Sequence, residues 1–200
     1  MTQSPMHAPR AGWWPRVLGG YVAGLQRSLV SGEQLIYPAA SRDVIADGRH
    51  DFDFLHGRWR VHNVRLQERL AGCTDWDEFQ AQVQCAPVLD GGGNQEQFQS
   101  SWGGEYRGMT LRLYDPQQRL WSLYWANRDS GMLEPPVVGR FENGVGRFLG
   151  RDRLHGREIQ VRYLWHDIQP DSAHWEQAFS ADRGHSWETN WHMHFQREAA

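Results

Sequence analysis

Asp51-Phe52-Asp53-Phe54-Leu55-His56-Gly57-Arg58-Trp59-Arg60-Val61-His62-Asn63-Val64 is the stretch on which the fold turns. Polar and apolar residues alternate from Asp51 to Phe54, the period-2 signature of a half-buried strand. Gly57 then permits a bend or a close backbone approach. Side chains alternate along a strand, so Trp59, Val61 and Asn63 share one face and Arg58, Arg60, His62 and Val64 the other. A β-rich domain over residues 51–197 therefore begins here, and residues 1–50 read as an N-terminal arm.

Within the arm, residues 13–30 carry a helical pattern. Pro15 suits a first turn, and Val17, Leu18, Tyr21, Val22, Leu25 and Leu29 recur at helical spacing. That stripe could dock on the domain, cap it, pair with a second copy in a homodimer, or touch a membrane surface, docking being favoured because the arm has few basic residues for lipid headgroups. Beyond Val64 the chain reads as strand, turn, strand. Strands are expected at 58–70, 75–86, 94–102, 106–114, 120–126, 137–142, 145–149, 157–167, 173–181 and 186–197. The polar strand 94–102 is expected at a rim. Met109, Leu111 and Leu113 share one face of the fourth strand, and Asn143-Gly144 signals a tight hairpin.

Ser180-Ala181-Asp182-Arg183-Gly184-His185-Ser186-Trp187 resembles the Asp-box pattern S-x-D-x-G-x-[ST]-W. The resemblance implies a hairpin device in which Asp182 bonds turn backbone and is structural. One copy does not make a propeller, which needs repeated blades.

Bulk composition narrows the function classes. The net charge of −3 gives no basic footprint for nucleic acid. All 21 basic residues are Arg, so Lys Schiff-base chemistry is excluded. No apolar run is long enough to span a membrane as a helix. Cys73 and Cys85 lie too far apart along one strand to pair there, and free thiols with no secretion signal lead to the expectation of a cytoplasmic protein. No nucleophile elbow, Walker loop or dinucleotide fingerprint is present. Eleven Trp among 200 residues make an aromatic interior expected.

Gly57-x-Trp59 at the head of the first strand resembles the lipocalin and calycin pattern. There the Trp closes one end of a barrel and a nearby Arg often covers it. Residues 51–197 also resemble bacterial calycin-like domains of the DUF1579 type and, more distantly, nitrobindin-type haem barrels. With the strand count, this implies an all-β, antiparallel up-and-down calycin-like barrel of about ten strands with an N-terminal helical arm.

Such a barrel implies a small-molecule cavity. With apolar faces inward, the interior set Trp59, Asn63, Trp125, Tyr163, Gln177 and Trp191 is the expected binding site for a small, mostly apolar or aromatic molecule. Three rivals remain open. A cyclase or isomerase would use His62, Tyr163, Glu176 or Glu188 as acid or base. A haem binder would need a ligand such as His56, His62 or His155. A purely structural barrel would be filled by its own side chains. Cavity volume separates the last from the others, and a coupled acid–base pair inside would favour the enzyme. His192-x-His194 could hold a metal with His174 or Glu176 as third ligand, but the apolar set of that strand should turn both imidazoles to solvent.

Overall fold

The computed structural model describes residues 47–199. The helical arm expected at 13–30 lies outside the described residues. Ten antiparallel strands form one closed barrel: β1 (Gly57–Leu66), β2 (Trp76–Val88), β3 (Gly93–Ser100), β4 (Tyr106–Asp115), β5 (Leu120–Asn127), β6 (Val137–Glu142), β7 (Val145–Leu154), β8 (Arg157–His166), β9 (Ser172–Ser180) and β10 (Glu188–Arg197). Each strand pairs with its neighbour in sequence, and β10 closes on β1, so no sheet edge is left open. No helix among the described residues is long and apolar enough to cross a membrane.

Turn chemistry sets the strand ends. Asn143 and Gly144 both adopt positive φ (53° and 78°), as a two-residue I′ hairpin demands. His155 and Gly156 do the same (49° and 80°), so β7 runs on to Leu154 rather than stopping at 149. In the Asp-box turn, Asp182 Oδ1 accepts from Ser186 N (2.9 Å) and Ser180 Oγ (2.7 Å), and Oδ2 accepts from Ser186 Oγ (2.6 Å). These bonds hold the Asp182 carboxyl far below the usual carboxylate range.

The stretch 51–64 closes one end of the barrel. Phe52 and Leu55 are fully buried, and Phe52 meets Trp121 and Phe141 edge-on, both at 5.0 Å. Trp59 Nε1 donates to Leu55 O at 2.8 Å, pinning the 3₁₀ turn Asp53–Leu55 under the barrel. Arg197 lies 4.1 Å over the Trp59 ring, and its two terminal nitrogens donate to His56 O and Phe54 O. The stack, with its charge satisfied by carbonyls, covers the closed end.

The fourth strand departs from the expected orientation. Thr110, Arg112 and Tyr114 are its buried residues, and Met109, Leu111 and Leu113 sit on the other face. The strand expected at a rim, β3, likewise turns Asn94, Glu96 and Phe98 inward. Polar groups can occupy these positions because they pair with one another, Asn94 Nδ2 and Arg112 Nε excepted. Arg112 donates to Glu96 Oε2 at 2.6 Å and Asn94 Oδ1 at 3.1 Å, and Thr110 Oγ1 lies 3.4 Å from Glu96 Oε1. Both Cys73 and Cys85 are free.

Candidate functional site

The barrel encloses a cavity of about 310 Å³ that opens opposite the closed end. Its position follows from a weak seam. β5 and β6 pair over only three residues, Trp121–Leu123 against Val137–Gly139. Pro135 and Pro136 carry no N–H with which to extend that ladder. The loop before β6 is held instead by Glu134 N donating to Trp125 O at 2.7 Å. Trp125, Asn127, Glu134 and Pro135 thereby come to line the cavity.

The walls are aromatic. Trp125, Tyr163, Trp165, Trp175 and Trp191 line them with Phe98 and Phe179. Gly108 makes room for the Trp125 ring, since a Cβ there would stand 2.1 Å from it. Tyr163 is stacked edge-on against Trp175 at 4.9 Å, and burial pushes its hydroxyl well above the ordinary range, so it stays a protonated donor.

The floor is formed where the Arg112–Glu96 pair meets the aromatic plug. The Arg112 guanidinium lies 5.2 Å from the Phe52 ring and 5.6 Å from that of Trp165. Its Nε and the Trp165 Nε1 are buried N–H donors without an acceptor among the described residues, and both residues line the cavity.

The mouth is rich in arginine: Arg65, Arg69, Arg151 and Arg153 line it, against the carboxylates Glu134 and Asp152. The Arg65 guanidinium is held between the rings of Trp102 (4.8 Å) and Trp191 (4.5 Å), and its Nε is buried without a partner. Burial, with Arg69 nearby, lowers its pKa to about 10, which leaves it charged at neutral pH. The nearby carboxylate Asp77 is already engaged by Trp102 Nε1 (3.2 Å) and Gln67 Nε2 (2.9 Å).

Of the residues expected at the site, Trp125, Tyr163, Gln177 and Trp191 line the cavity. Trp59 and Asn63 do not. Trp59 belongs to the closed end. Asn63, fully buried, accepts from Trp191 Nε1 at 3.0 Å and so fixes the ring on which Arg65 rests. Gln177 donates to Asn190 Oδ1 at 2.8 Å. Asn190 sits inside because the register of β10 against β9 shifts between Thr189 and Trp191, a bulge that strict alternation does not foresee.

Among the acid–base candidates, only Tyr163 lines the cavity. Glu188 accepts from Leu70 N at 2.7 Å, His62 faces outward beside Glu78 (3.1 Å), and Glu176 lies outside the barrel wall among histidines. Among the described residues, no lining residue is a histidine. His56, His62 and His155 are therefore not placed to ligate an iron inside it. His192 and His194 point outward from β10, as the apolar face of that strand requires.

No protein-family model matches the chain, and no curated protein does. Solved structures match the barrel. The S-type phycobiliprotein lyase CPES from Guillardia theta superposes with a TM-score of 0.53 at 12% identity, covering 78% of this chain and 95% of the lyase. Rv2717c from M. tuberculosis gives a TM-score of 0.49 at 15% identity over 78% of this chain and 100% of its own. At this identity the likeness to the lyase is one of fold alone.

Proposed function

We propose that this barrel binds a small, mostly apolar organic molecule that carries an acidic group, with the aromatic body inside and the acid at the mouth. The observation behind this reading is an imbalance in the cavity. Its walls supply buried donors without acceptors, at Arg65, Arg112 and Trp165, and one of them is a cation without a paired anion. Buried donors are stable when an acceptor completes them. Arg112 has its charge matched by Glu96, so a neutral acceptor suits the floor. The charge of Arg65 is matched by no carboxylate within ion-pair distance among the described residues, so an anion suits the mouth. Trp125, Trp175, Trp191 and Tyr163 would hold the ring system. The volume fits the small end of ligand pockets and argues against a barrel filled by its own side chains. Binding is preferred to acid–base catalysis because His62, Glu176 and Glu188 lie off the cavity.

The test is a titration of two-ring aromatic carboxylates such as 2-naphthoate, followed by tryptophan fluorescence, beside the matching neutral amides. The carboxylate should bind more tightly than its amide. Arg65→Met should weaken the carboxylate by about ten- to a hundredfold, the value of a hydrogen bond to a charged group, and leave the amide little changed. Equal affinities for acid and amide in the unmutated protein would remove the anion from the proposal. Failure of both series to bind would remove the pocket.

A further inference from the structure

Outside the barrel, register brings four imidazoles into one row. His166 on β8 stands opposite His174 on β9, His174 opposite His194 on β10, and His194 opposite His62 on β1. In the adjoining row, Glu176 stands opposite His192. Strand alternation keeps this row off the cavity, since the partners in phase with Tyr163, Trp165, Trp175 and Met193 face inward.

We infer that His166, His174 and Glu176, with His192 beside them, form a binding site for a first-row divalent transition metal such as Zn²⁺. The donor spacings carry this. His166 Nε2 lies 3.4 Å from Glu176 Oε1, His192 Nδ1 lies 3.5 Å from the same oxygen, and His192 Nδ1 lies 3.3 Å from His174 Nε2. One donor each from His166, His174 and Glu176 also falls within 4.8 Å of the others. A tetrahedral cation about 2.0–2.1 Å from each ligand sets its ligands about 3.3–3.4 Å apart, close to the His166–Glu176, Glu176–His192 and His192–His174 spacings, and the described set whose donors all lie within 4.8 Å of one another is His166, His174 and Glu176.

The surroundings suit a metal as well. His166 Nδ1 lies 2.8 Å from Asp167 Oδ2, the carboxylate–imidazole contact that orients a metal-binding histidine and turns its Nε2 toward the ion. His174 is packed against His194 at 4.2 Å and against His166 at 4.4 Å, which fixes its ring. Side-chain exposures of 24% for His166, 21% for Glu176 and 29% for His192 leave the site reachable from solvent. Three imidazoles with one carboxylate favour Zn²⁺, Co²⁺, Ni²⁺ or Cu²⁺ over Mg²⁺ or Ca²⁺. His166 on β8 with His174 and Glu176 on β9 would join these two strands, with His192 on β10 beside them and a coordination position left for it or for water.

Titration of the tag-free, chelator-treated full chain with Co²⁺, read by visible absorption, tests the site. Saturation at one equivalent with the intense bands of four-coordinate Co²⁺ is expected, together with a higher Tm when Zn²⁺ is added. His174→Ala and Glu176→Gln should each weaken binding at least tenfold while the far-ultraviolet circular dichroism of the apoprotein is unchanged. His62→Ala, at the far end of the row, should leave binding intact. Absence of saturable binding would overturn the site and leave a hydrogen-bonded histidine row only. So would loss of binding in His62→Ala with retention in His174→Ala and Glu176→Gln.

Discussion

At the scale of single residues, two arginines show how the same side chain serves different ends. Arg112 is buried and closed: its terminal nitrogens meet Glu96 and Asn94, and its charge is matched. Arg65 is half-buried and open, held by two indole faces in place of a carboxylate. A desolvated charge that loses its partner is costly, about 3–5 kcal/mol for a buried pair. Glu96→Gln should therefore lower stability by about 3–5 kcal/mol in urea unfolding, and the double variant Glu96→Leu with Arg112→Met should recover most of it. A loss under ~1 kcal/mol for Glu96→Gln would mean that the pair is solvated after all. Much of the aromatic wall was legible in the sequence, because Trp125, Tyr163 and Trp191 lie on plainly apolar faces. Glu96, Arg112 and Asn190 were not. The rule that apolar faces turn inward points the wrong way on β4, where an internally paired polar cluster occupies the core, and a bulge reverses the phase at Asn190. The signal that was present is chemical complementarity: Asn94 and Glu96 share one face of β3, and Thr110 and Arg112 share one face of β4.

At the scale of elements, turn residues decide where strands stop. The ten strand positions were legible because Asn-Gly, Asp-Pro, Gly-rich and Asp-box segments separate short alternating runs. The end of β7 was missed because His155-Gly156 makes an I′ turn without the usual Asn, and a His at positive φ is uncommon. The Asp-box turn between β9 and β10 supports a pH prediction. The folded-state pKa of Asp182 is depressed by its bonds to Ser186 and Ser180. A depressed carboxyl adds stability that is present above its unfolded pKa, near 3.8, and is lost as pH falls from there toward the folded value. Asp182→Asn should lower Tm at pH 7, and its gap to the unmutated protein should shrink as pH drops below about 4. A gap that stays constant across that window would show that the carboxylate charge contributes nothing to the turn. At the other end of the barrel, the Phe52 plug and the Arg197–Trp59 stack leave the mouth at the β5–β6 seam as the way in.

At the scale of the whole molecule, closure of ten strands leaves an interior too wide for side chains alone to fill. The protein lines that space with aromatic rings and with donors that lack acceptors. The outer wall carries a separate chemistry, the histidine row across β8, β9, β10 and β1, which shares strands with the cavity and faces the opposite way. If the interior, and not the surface, receives an organic ligand, the tryptophans report on it directly, because they divide by position. Trp125, Trp165, Trp175 and Trp191 line the cavity, Trp59 and Trp121 sit at the closed end, and Trp76 lies exposed outside. The decisive measurement is the indole ¹H–¹⁵N spectrum during titration with two-ring aromatic carboxylates. The signals of Trp125, Trp165, Trp175 and Trp191 should move together and saturate, with Trp59 and Trp76 unmoved. Shifts confined to Trp76, or none at any indole across the series, would contradict the account.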